Sequence, residues 1–160
     1  MIRPVELSDC KSIADIYNFY IETTAITFEE IPITAAEMQN RINEIRAVFP
    51  YLVHEENGEI LGFAYVHAFH ARSAYRFTLE DSIYLRNGCQ GKGIGRALLG
   101  ELLNEVKKQD IHSIIANIAL PNDRSIKLHE AFGFKNAGAL KEVGRKFDKW
   151  LDIGYWELIL

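Results

Sequence analysis

The chain has 160 residues and a mass of 18.3 kDa, which predicts a single domain, residues 1–160, that buries about two-thirds of its unfolded surface. Its net charge of −4 and pI of about 5.7 argue against nucleic acid or an anionic membrane as the main partner. The N-terminus has no signal-peptide or transmembrane pattern, and two cysteines, Cys10 and Cys89, form no disulfide framework, so we expect a cytoplasmic protein.

The first third of the chain predicts one strand and two helices. Ile2 to Val5 is a short strand, and Ser8 is the expected N-cap of a helix whose apolar residues recur at helical spacing up to Ile21. Thr23 to Glu29 interrupts that spacing and predicts a loop. A second helix is expected to start at Thr34, because Glu37 stands three residues later as in a capping box.

Three strands are expected next. Tyr51 to His54 and Ile60 to His67 are apolar runs joined by Asn57-Gly58, which is the strongest short-range signal for a β-hairpin. After a polar and aromatic connection, Phe77 to Leu85 is rich in β-branched and aromatic residues and predicts the third of these strands.

A glycine-rich turn lies between that strand and a helical stripe. It comprises Gln90, Gly91, Lys92, Gly93, Ile94, Gly95 and Arg96. Three glycines allow the backbone to turn with its amides facing inward, and the N-terminus of the following helix attracts anions. Since Lys92 and Arg96 add positive charge, the turn predicts a pyrophosphate site. The spacing fits neither a P-loop nor a dinucleotide-binding fingerprint.

The last third predicts another strand, a short helix and two strands. Ser113 to Ile118 is the strand, Asn122 opens the helix, and Gly133 is the expected C-cap. The final strands lie near Phe134 to Val143 and Trp150 to Leu158. The order β-α-α-β-β-β-α-β-α-β-β predicts a mixed α/β (α+β) fold with a mostly antiparallel sheet flanked by helices.

Two side chains are candidates for acid–base chemistry. Glu80 lies in mid-strand on the polar face with Thr78 and Ser82, which suits a general base; the alternative is a surface carboxylate. Asp81 falls on the apolar face by the same alternation, a conflict that a β-bulge would resolve. His129 suits proton transfer near neutral pH, although a lone histidine on a short helix is more often structural. His67 and His70 are too sparse for a metal site, so no metal is expected.

The motif Gln-x-x-Gly-x-Gly, residues 90–95, resembles the acyl-CoA signature of the GNAT acetyltransferases. Longer blocks between about residues 60 and 155 resemble the phosphinothricin and methionine sulfoximine N-acetyltransferases. They are His70–Leu85, Asn122–Ser125, Leu128–Glu130, Gly133–Phe134 and Val143–Asp152. The resemblance implies the GNAT fold, acetyl-CoA as cosubstrate, a small amino acid with a tetrahedral polar end as the amine substrate, and a homodimer.

The resemblance also implies residue roles. Glu80 and His129 correspond to a proposed catalytic pair, in which the histidine gives a proton to the departing CoA thiolate. The residues expected to bind acetyl-CoA are Ile83, Tyr84, Leu85, Gln90, Gly91, Lys92, Gly93, Ile94, Gly95, Arg96, Asn122, Arg124 and Ser125. Arg72 suits an oxyanion of the substrate, Tyr75 a hydroxyl hydrogen bond, and Phe28 an apolar wall.

Two other functions stay open from the sequence. One is an acetyltransferase for protein N-termini or for another amine, which requires a groove that accepts a peptide. The other is an acyl-CoA-binding module without catalysis, against which the presence of Glu80 and His129 counts. The natural amine is less well defined by the sequence than the reaction.

Overall fold

The computed structural model describes all residues, 1–160. The predicted order of seven strands and four helices is confirmed, with short 3₁₀ turns added at Leu7–Asp9 and Ser73–Tyr75. The elements are β1 (Ile2–Pro4), α1 (Cys10–Thr23), α2 (Ala35–Arg46), β2 (Tyr51–Glu56), β3 (Glu59–Ala68), β4 (Thr78–Leu85), α3 (Ile94–Val106), β5 (Ser113–Leu120), α4 (Asp123–Glu130), β6 (Lys135–Lys146) and β7 (Lys149–Ile159).

The strands form one seven-stranded sheet in the order β1-β2-β3-β4-β5-β7-β6. The pairs β1–β2, β2–β3, β5–β7 and β6–β7 are antiparallel, whereas β4 and β5 run parallel. The parallel register joins Thr78–Asp81 of β4 to Ser113–Ala116 of β5. The predicted mixed, mostly antiparallel α/β fold is thus confirmed.

The chain divides into two compact units. The first contains residues 1–19, 33–67 and 82–110, and the second contains residues 20–32, 68–81 and 111–160. The first unit therefore holds β1, β2, the glycine-rich turn and α3. The second holds β5, α4, β6 and β7 together with the first half of β4. The assignment of the whole chain to a single domain stays a prediction.

Each unit has its own apolar core. In the first, α3 buries the stripe that its spacing predicts: Ile94, Leu98, Leu99, Leu102, Leu103 and Val106. In the second, Leu79, Ile114, Ile118, Phe134, Ile153 and Trp156 are buried. No helix in the structure is both long enough and apolar enough to cross a membrane.

The predicted N-cap of α2 is confirmed, but the predicted N-cap of α1 is wrong. Thr34 and Glu37 form the predicted capping box at the start of α2, with each side chain hydrogen-bonded to the backbone of the other. Ser8 is not the N-cap of α1: Leu7–Asp9 is a 3₁₀ turn capped at Glu6, and Asp9 accepts from the Glu6 N–H at 2.9 Å. The Asp9 carboxylate also pairs with Arg3 of β1 at 2.8 Å, which holds the 3₁₀ turn against the first strand.

The turn between β2 and β3 is the predicted hairpin. Asn57 and Gly58 both have positive φ, 52° and 80°, as a two-residue hairpin turn of this sequence requires. At the end of α4, Ala131 is the C-cap and Gly133 lies two residues beyond it with φ 92°, so the helix ends earlier than the position of Gly133 predicts.

Candidate active site

The glycine-rich turn adopts the backbone conformation that its glycines allow. Gly88, Gly91 and Gly93 have φ of 81°, 78° and 83°, the left-handed region in which a Cβ is unfavourable. Gly93 is the N-cap of α3, and its carbonyl accepts the first helical hydrogen bond from Ala97 at 3.0 Å. The Gln90 side chain accepts from the Gly88 N–H at 2.9 Å and closes the turn.

This turn suits an anionic ligand. The first N–H groups of α3 have no carbonyl one turn earlier to accept from them, and they form the positive end of the helix dipole. Nothing lies within 4 Å of a Cβ built at Gly91 or Gly93, so the backbone there is open to a ligand. Lys92 and Arg96 are exposed on the same turn. Cys89 is buried, which is typical of a small filling residue.

Glu80 and Asp81 project from opposite faces of β4. Their register with β5, Glu80 opposite Ile115 and Asp81 opposite Ala116, continues without a shift, so the bulge that Asp81 suggested is absent from this pairing. Asp81 is 6% exposed and Glu80 is half-buried. Because successive strand residues alternate, Glu80 points away from the face on which Asp81 lies.

The partner of Asp81 is His129 on α4. Nε2 of His129 lies 2.9 Å from Oδ2 of Asp81, and the two side chains are 3% and 1% exposed. Nδ1 of His129 lies 2.7 Å from the carbonyl oxygen of Ser125 and 3.3 Å from its hydroxyl. The Phe134 ring packs edge-on against the imidazole at 5.0 Å between centroids. Asp81 therefore lies on the otherwise apolar face of β4 because its carboxylate contacts His129 of α4.

The electrostatics of this contact favour a charged histidine. Burial lowers the pKa of His129, but the negative charge of Asp81 and the hydrogen bonds to Asp81 and to the Ser125 carbonyl outweigh it, so the pKa is raised above 6.5. An imidazolium donates from both nitrogens, which matches the two acceptors that face the ring.

The N-terminus of α4 carries three residues expected at the cofactor. Asn122 is the predicted N-cap, and its side chain accepts from the Ser125 N–H at 3.3 Å. Arg124 is exposed in the first turn, and Ser125 is half-buried. The same eight-residue helix therefore presents these three residues at one end and His129 at the other.

The loop before α2 is attached to the β6–β7 hairpin. The Phe28 ring, on a side chain 36% exposed, packs directly over Gly144, where a Cβ would lie 2.1 Å from Cε2 of the ring. Next to it, the Lys146 ammonium donates to the Thr27 carbonyl at 2.9 Å, although Lys146 is only 3% exposed. Burial lowers the pKa of Lys146, an effect that Glu30 and Glu29 partly offset.

Arg72 and Tyr75 lie together on an exposed turn. Arg72 caps the 3₁₀ turn Ser73–Tyr75, and its carbonyl accepts from the Tyr75 N–H at 3.0 Å. The Tyr75 ring contacts Phe69 and His70, with centroids 5.8 and 5.0 Å away. These rings hold the tyrosine while leaving it 39% exposed.

The second unit therefore contains all the residues predicted for acid–base chemistry and for the amine: Phe28, Arg72, Tyr75, Glu80 and His129. The structure brings His129 to Asp81 and Phe28 to Gly144, and it places Glu80 on the strand face opposite that of Asp81. Sequence reasoning assigned no role to Asp81 or Lys146. Asp81 was recognisable as unusual because a carboxylate stood on the apolar face of the predicted strand. Nothing in the sequence pattern indicates that Lys146 is buried.

Comparison with known proteins gives a family match over nearly the whole chain. Residues 2–154 match the acetyltransferase (GNAT) domain family. A phosphinothricin N-acetyltransferase from Streptomyces viridochromogenes is 37% identical over 156 residues, which cover 98% of this chain and 85% of that relative. An L-methionine sulfoximine/L-methionine sulfone acetyltransferase from Salmonella typhimurium is 35% identical over 163 residues, covering 99% of this chain and 94% of that relative.

A solved structure shares the fold. The GNAT-superfamily phosphinothricin acetyltransferase from Sinorhizobium meliloti, in complex with acetyl-CoA, superimposes with a TM-score of 0.96 at 40% identity. The match covers 100% of this chain and 88% of that one.

Proposed function

Because the chain belongs to the GNAT family of N-acetyltransferases, we propose that it transfers the acetyl group of acetyl-CoA to the α-amine of a small amino acid. We propose that its substrates are amino acids with a tetrahedral polar end, such as phosphinothricin, methionine sulfoximine and methionine sulfone. The relatives are named as acetyltransferases of these compounds. The observation that carries the proposal is the glycine-rich turn, whose left-handed glycines open directly onto α3.

Acetyl-CoA is proposed to bind with its diphosphate at the N–H groups of this turn, since the open backbone at Gly91 and Gly93 fits a phosphate group. Lys92, Arg96 and Arg124 supply positive charge, and Asn122 and Ser125 supply polar groups. The backbone at Ile83, Tyr84 and Leu85 is proposed to pair with the pantetheine amides as an added strand does.

Glu80 is the proposed general base. It removes a proton from the substrate ammonium, directly or through one water, and the neutral amine then attacks the thioester carbonyl. A carbon–nitrogen bond forms, the carbon–sulfur bond breaks, CoA leaves as a thiolate, and the acylated nitrogen gives up its extra proton to solvent. The half-buried position of Glu80, on the strand that leads to the glycine-rich turn, supports this role. The resemblance implies that His129 gives the thiolate its proton. Burial lowers the pKa of His129, but the charge of Asp81 and the hydrogen bonds to Asp81 and to the Ser125 carbonyl raise it above 6.5.

Three residues are proposed to hold the amino acid. Arg72 binds an oxyanion, its carboxylate or its phosphinate or sulfoximine oxygens, through the planar guanidinium fork. Tyr75 donates a hydroxyl hydrogen bond, and Phe28 packs against the aliphatic part. The attachment of Phe28 to Gly144 and the ring cluster around Tyr75 support a preorganised pocket.

The test is CoA release from acetyl-CoA by the purified protein. L-Phosphinothricin, L-methionine sulfoximine and L-methionine sulfone are compared with a mixed panel of peptides, and acetyl-CoA binding is measured by calorimetry. Turnover with the amino-acid analogues is expected. Turnover only with peptides would replace the amino-acid substrate by a protein N-terminus, and binding without turnover of any amine would favour a non-catalytic acyl-CoA module.

Glu80→Gln is expected to lower kcat/KM by about 10²-fold or more, the usual size of a general-base contribution. The matched control is Glu44→Gln, since Glu44 is exposed on α2, and it is expected to keep the wild-type rate. Rates are compared from pH 6 to pH 9 after circular dichroism has shown that both variants fold. A Glu80→Gln variant as fast as wild type throughout that range would refute the base assignment.

The homodimer is tested by sedimentation. Equilibrium runs of the full chain over a range of concentrations are expected to give twice the monomer mass of 18.3 kDa. A monomer at all concentrations would contradict it.

A further inference from the structure

We propose that Asp81 is a positioning residue that acts through His129: together they form a buried ion pair that fixes α4 to β4, and His129 gives no proton to the CoA thiolate. This inference deepens the proposed function, because it reassigns one residue of the same site. It goes against the family role that the sequence suggested for His129.

Both nitrogens of the His129 imidazole face acceptors inside the protein. Nδ1 lies 2.7 Å from the Ser125 carbonyl, which can only accept, so Nδ1 carries a hydrogen. Nε2 lies 2.9 Å from a carboxylate oxygen of Asp81, so the hydrogen on that side is directed at Asp81. Both ring nitrogens are therefore used inside the protein. A general acid must have its proton within hydrogen-bond reach of the leaving atom, directly or through one water.

The imidazole of His129 is also shielded from solvent. The side chains of His129 and Asp81 are 3% and 1% exposed, and the Phe134 ring packs edge-on against the imidazole. To reach a thiolate, His129 would have to break the contact with Asp81. That would leave a carboxylate buried without a partner, because Oδ1 of Asp81 has no hydrogen-bond partner in the protein either. Breaking a buried ion pair in this way is strongly unfavourable.

The pair of Asp81 and His129 connects two elements that carry proposed site residues, β4 and α4. His129 lies in the last turn of α4, whose first turn carries Arg124 and Ser125 next to the Asn122 cap. Asp81 directly follows Glu80 on β4, and it points to the opposite face. A second contact fixes the same end of α4, where the Trp156 indole donates to Glu130 at 3.1 Å. The ion pair thus joins the helix proposed to hold the cofactor to the strand that carries the proposed base.

The groups that face the imidazole are the Asp81 carboxylate from β4, the carbonyl and the hydroxyl of Ser125 from its own helix, and the Phe134 ring. Burial lowers the pKa of His129, but Asp81 outweighs burial and raises the pKa. The ring therefore keeps its second proton to a higher pH than an ordinary histidine, whose pKa is about 6.5.

The first experiment measures this protonation state in the wild-type protein. The five histidines are labelled with ¹⁵N, and their ring signals are followed by NMR from pH 5 to pH 9, with His129→Phe to assign the signal. We expect imidazolium shifts at both nitrogens of His129 at pH 7.5, and Asp81→Asn is expected to move the midpoint of the titration to lower pH. A His129 ring that is neutral at pH 7.5 in the wild type would overturn the proposal.

The second experiment removes both partners together. Asp81→Val and His129→Phe are each expected to lower the thermal midpoint and to raise the KM for acetyl-CoA, because each leaves the other group buried and unpaired. The double variant replaces the ion pair by apolar side chains, which buried sites often accept. Its kcat is expected to recover to within about tenfold of wild type, well above the loss of 10²-fold or more that removal of a general acid causes.

A folded double variant that has the thermal midpoint of the wild type but a kcat lower by 10²-fold would overturn the proposal and restore His129 as the acid. If the double variant does not fold, the NMR titration is repeated with CoA bound: an unchanged His129 titration is expected, and a midpoint that the bound CoA thiol moves would restore His129 as the acid. Failure of the proposed function gives a different result, since the wild type would then turn over no amine while its His129 signals stay as expected.

Discussion

The glycine-rich turn and the β6–β7 hairpin both depend on glycine, but they need it for different physical reasons. Gly93 has φ 83°, and nothing lies within 4 Å of a Cβ built there, so its requirement is conformational. Gly144 lies outside the left-handed region, but its Cβ would lie 2.1 Å from the Phe28 ring, so its requirement is space. The first glycine shapes the backbone for a ligand, and the second makes room for a side chain of the protein itself.

This difference decides what each position tolerates. A conformational requirement depends on φ, and it is relaxed by residues such as asparagine that enter the left-handed region at lower cost. A requirement for space depends on the neighbour, and it is relaxed when that neighbour becomes smaller. Substitutions at Gly144 and Gly93 therefore have different expected effects.

Gly144→Val is expected to have the largest effect on stability. The branched side chain must displace the Phe28 ring, and overpacking of this kind costs about 1–3 kcal/mol. Urea unfolding measures the loss. Because the displaced Phe28 is the proposed substrate wall, the KM for the amine is expected to rise while the Kd of acetyl-CoA stays unchanged.

The control for Gly144→Val is the same substitution combined with Phe28→Ala. If space is the reason, the double variant is less destabilised than the sum of the two single variants, since the smaller side chain removes the clash. Additive losses in the double variant would mean that Gly144 is required for some other reason.

Gly93→Ala is expected to have a smaller effect on stability, of about 1–2 kcal/mol, which is the cost of the left-handed conformation for a residue with a Cβ. The turn is expected to relax away from that conformation and to weaken acetyl-CoA binding, which calorimetry measures. Gly93→Asn is the matched variant, and it should bind acetyl-CoA more tightly than Gly93→Ala. Equal Kd values for wild type and a folded Gly93→Ala would contradict the assignment of the turn as the cofactor site.

The same distinction explains which parts of the molecule the sequence could predict. The glycine-rich turn was predictable because its information is local: strand, glycine spacing and helix are contiguous in the chain. The capping box at Thr34 and Glu37 and the Asn57-Gly58 hairpin were predictable for the same reason. Ser8 is not a cap, because Leu7–Asp9 forms a 3₁₀ turn capped at Glu6, and the pairing of Asp9 with Arg3 in that turn is not visible in the local pattern.

Contacts between distant segments were not predictable. The contact of Phe28 with Gly144 and the burial of Lys146 under the Thr27 carbonyl depend on how a loop meets a hairpin far along the chain. Asp81 was visible as an anomaly, but alternation alone suggested a bulge, because nothing local shows that a histidine in a later helix lies opposite. A carboxylate in an apolar register therefore indicates a long-range polar partner as well as a backbone irregularity.

Lys146→Met gives the smallest expected effect and tests the hairpin without adding bulk. The variant loses one hydrogen bond to the Thr27 carbonyl, which lowers stability. It also removes a buried positive charge, which raises stability, since burial disfavours the charged form and lowers the pKa of Lys146. These changes oppose each other, so the free energy of unfolding is expected to fall by only about 1 kcal/mol. Lys149→Met, at an exposed position of β7, is the matched control and should leave stability unchanged.

The pH dependence separates the two contributions of Lys146. Its pKa in the folded state lies below the value of 10.5 that it has when unfolded, so the folded state favours the neutral amine. The penalty for burying the charge is fully present below the folded-state pKa and disappears as the pH rises from there to 10.5. Wild type is therefore expected to gain stability relative to Lys146→Met over this interval, in urea unfolding at stepped pH. A constant difference between the two would mean that the pKa of Lys146 is not lowered in the folded state.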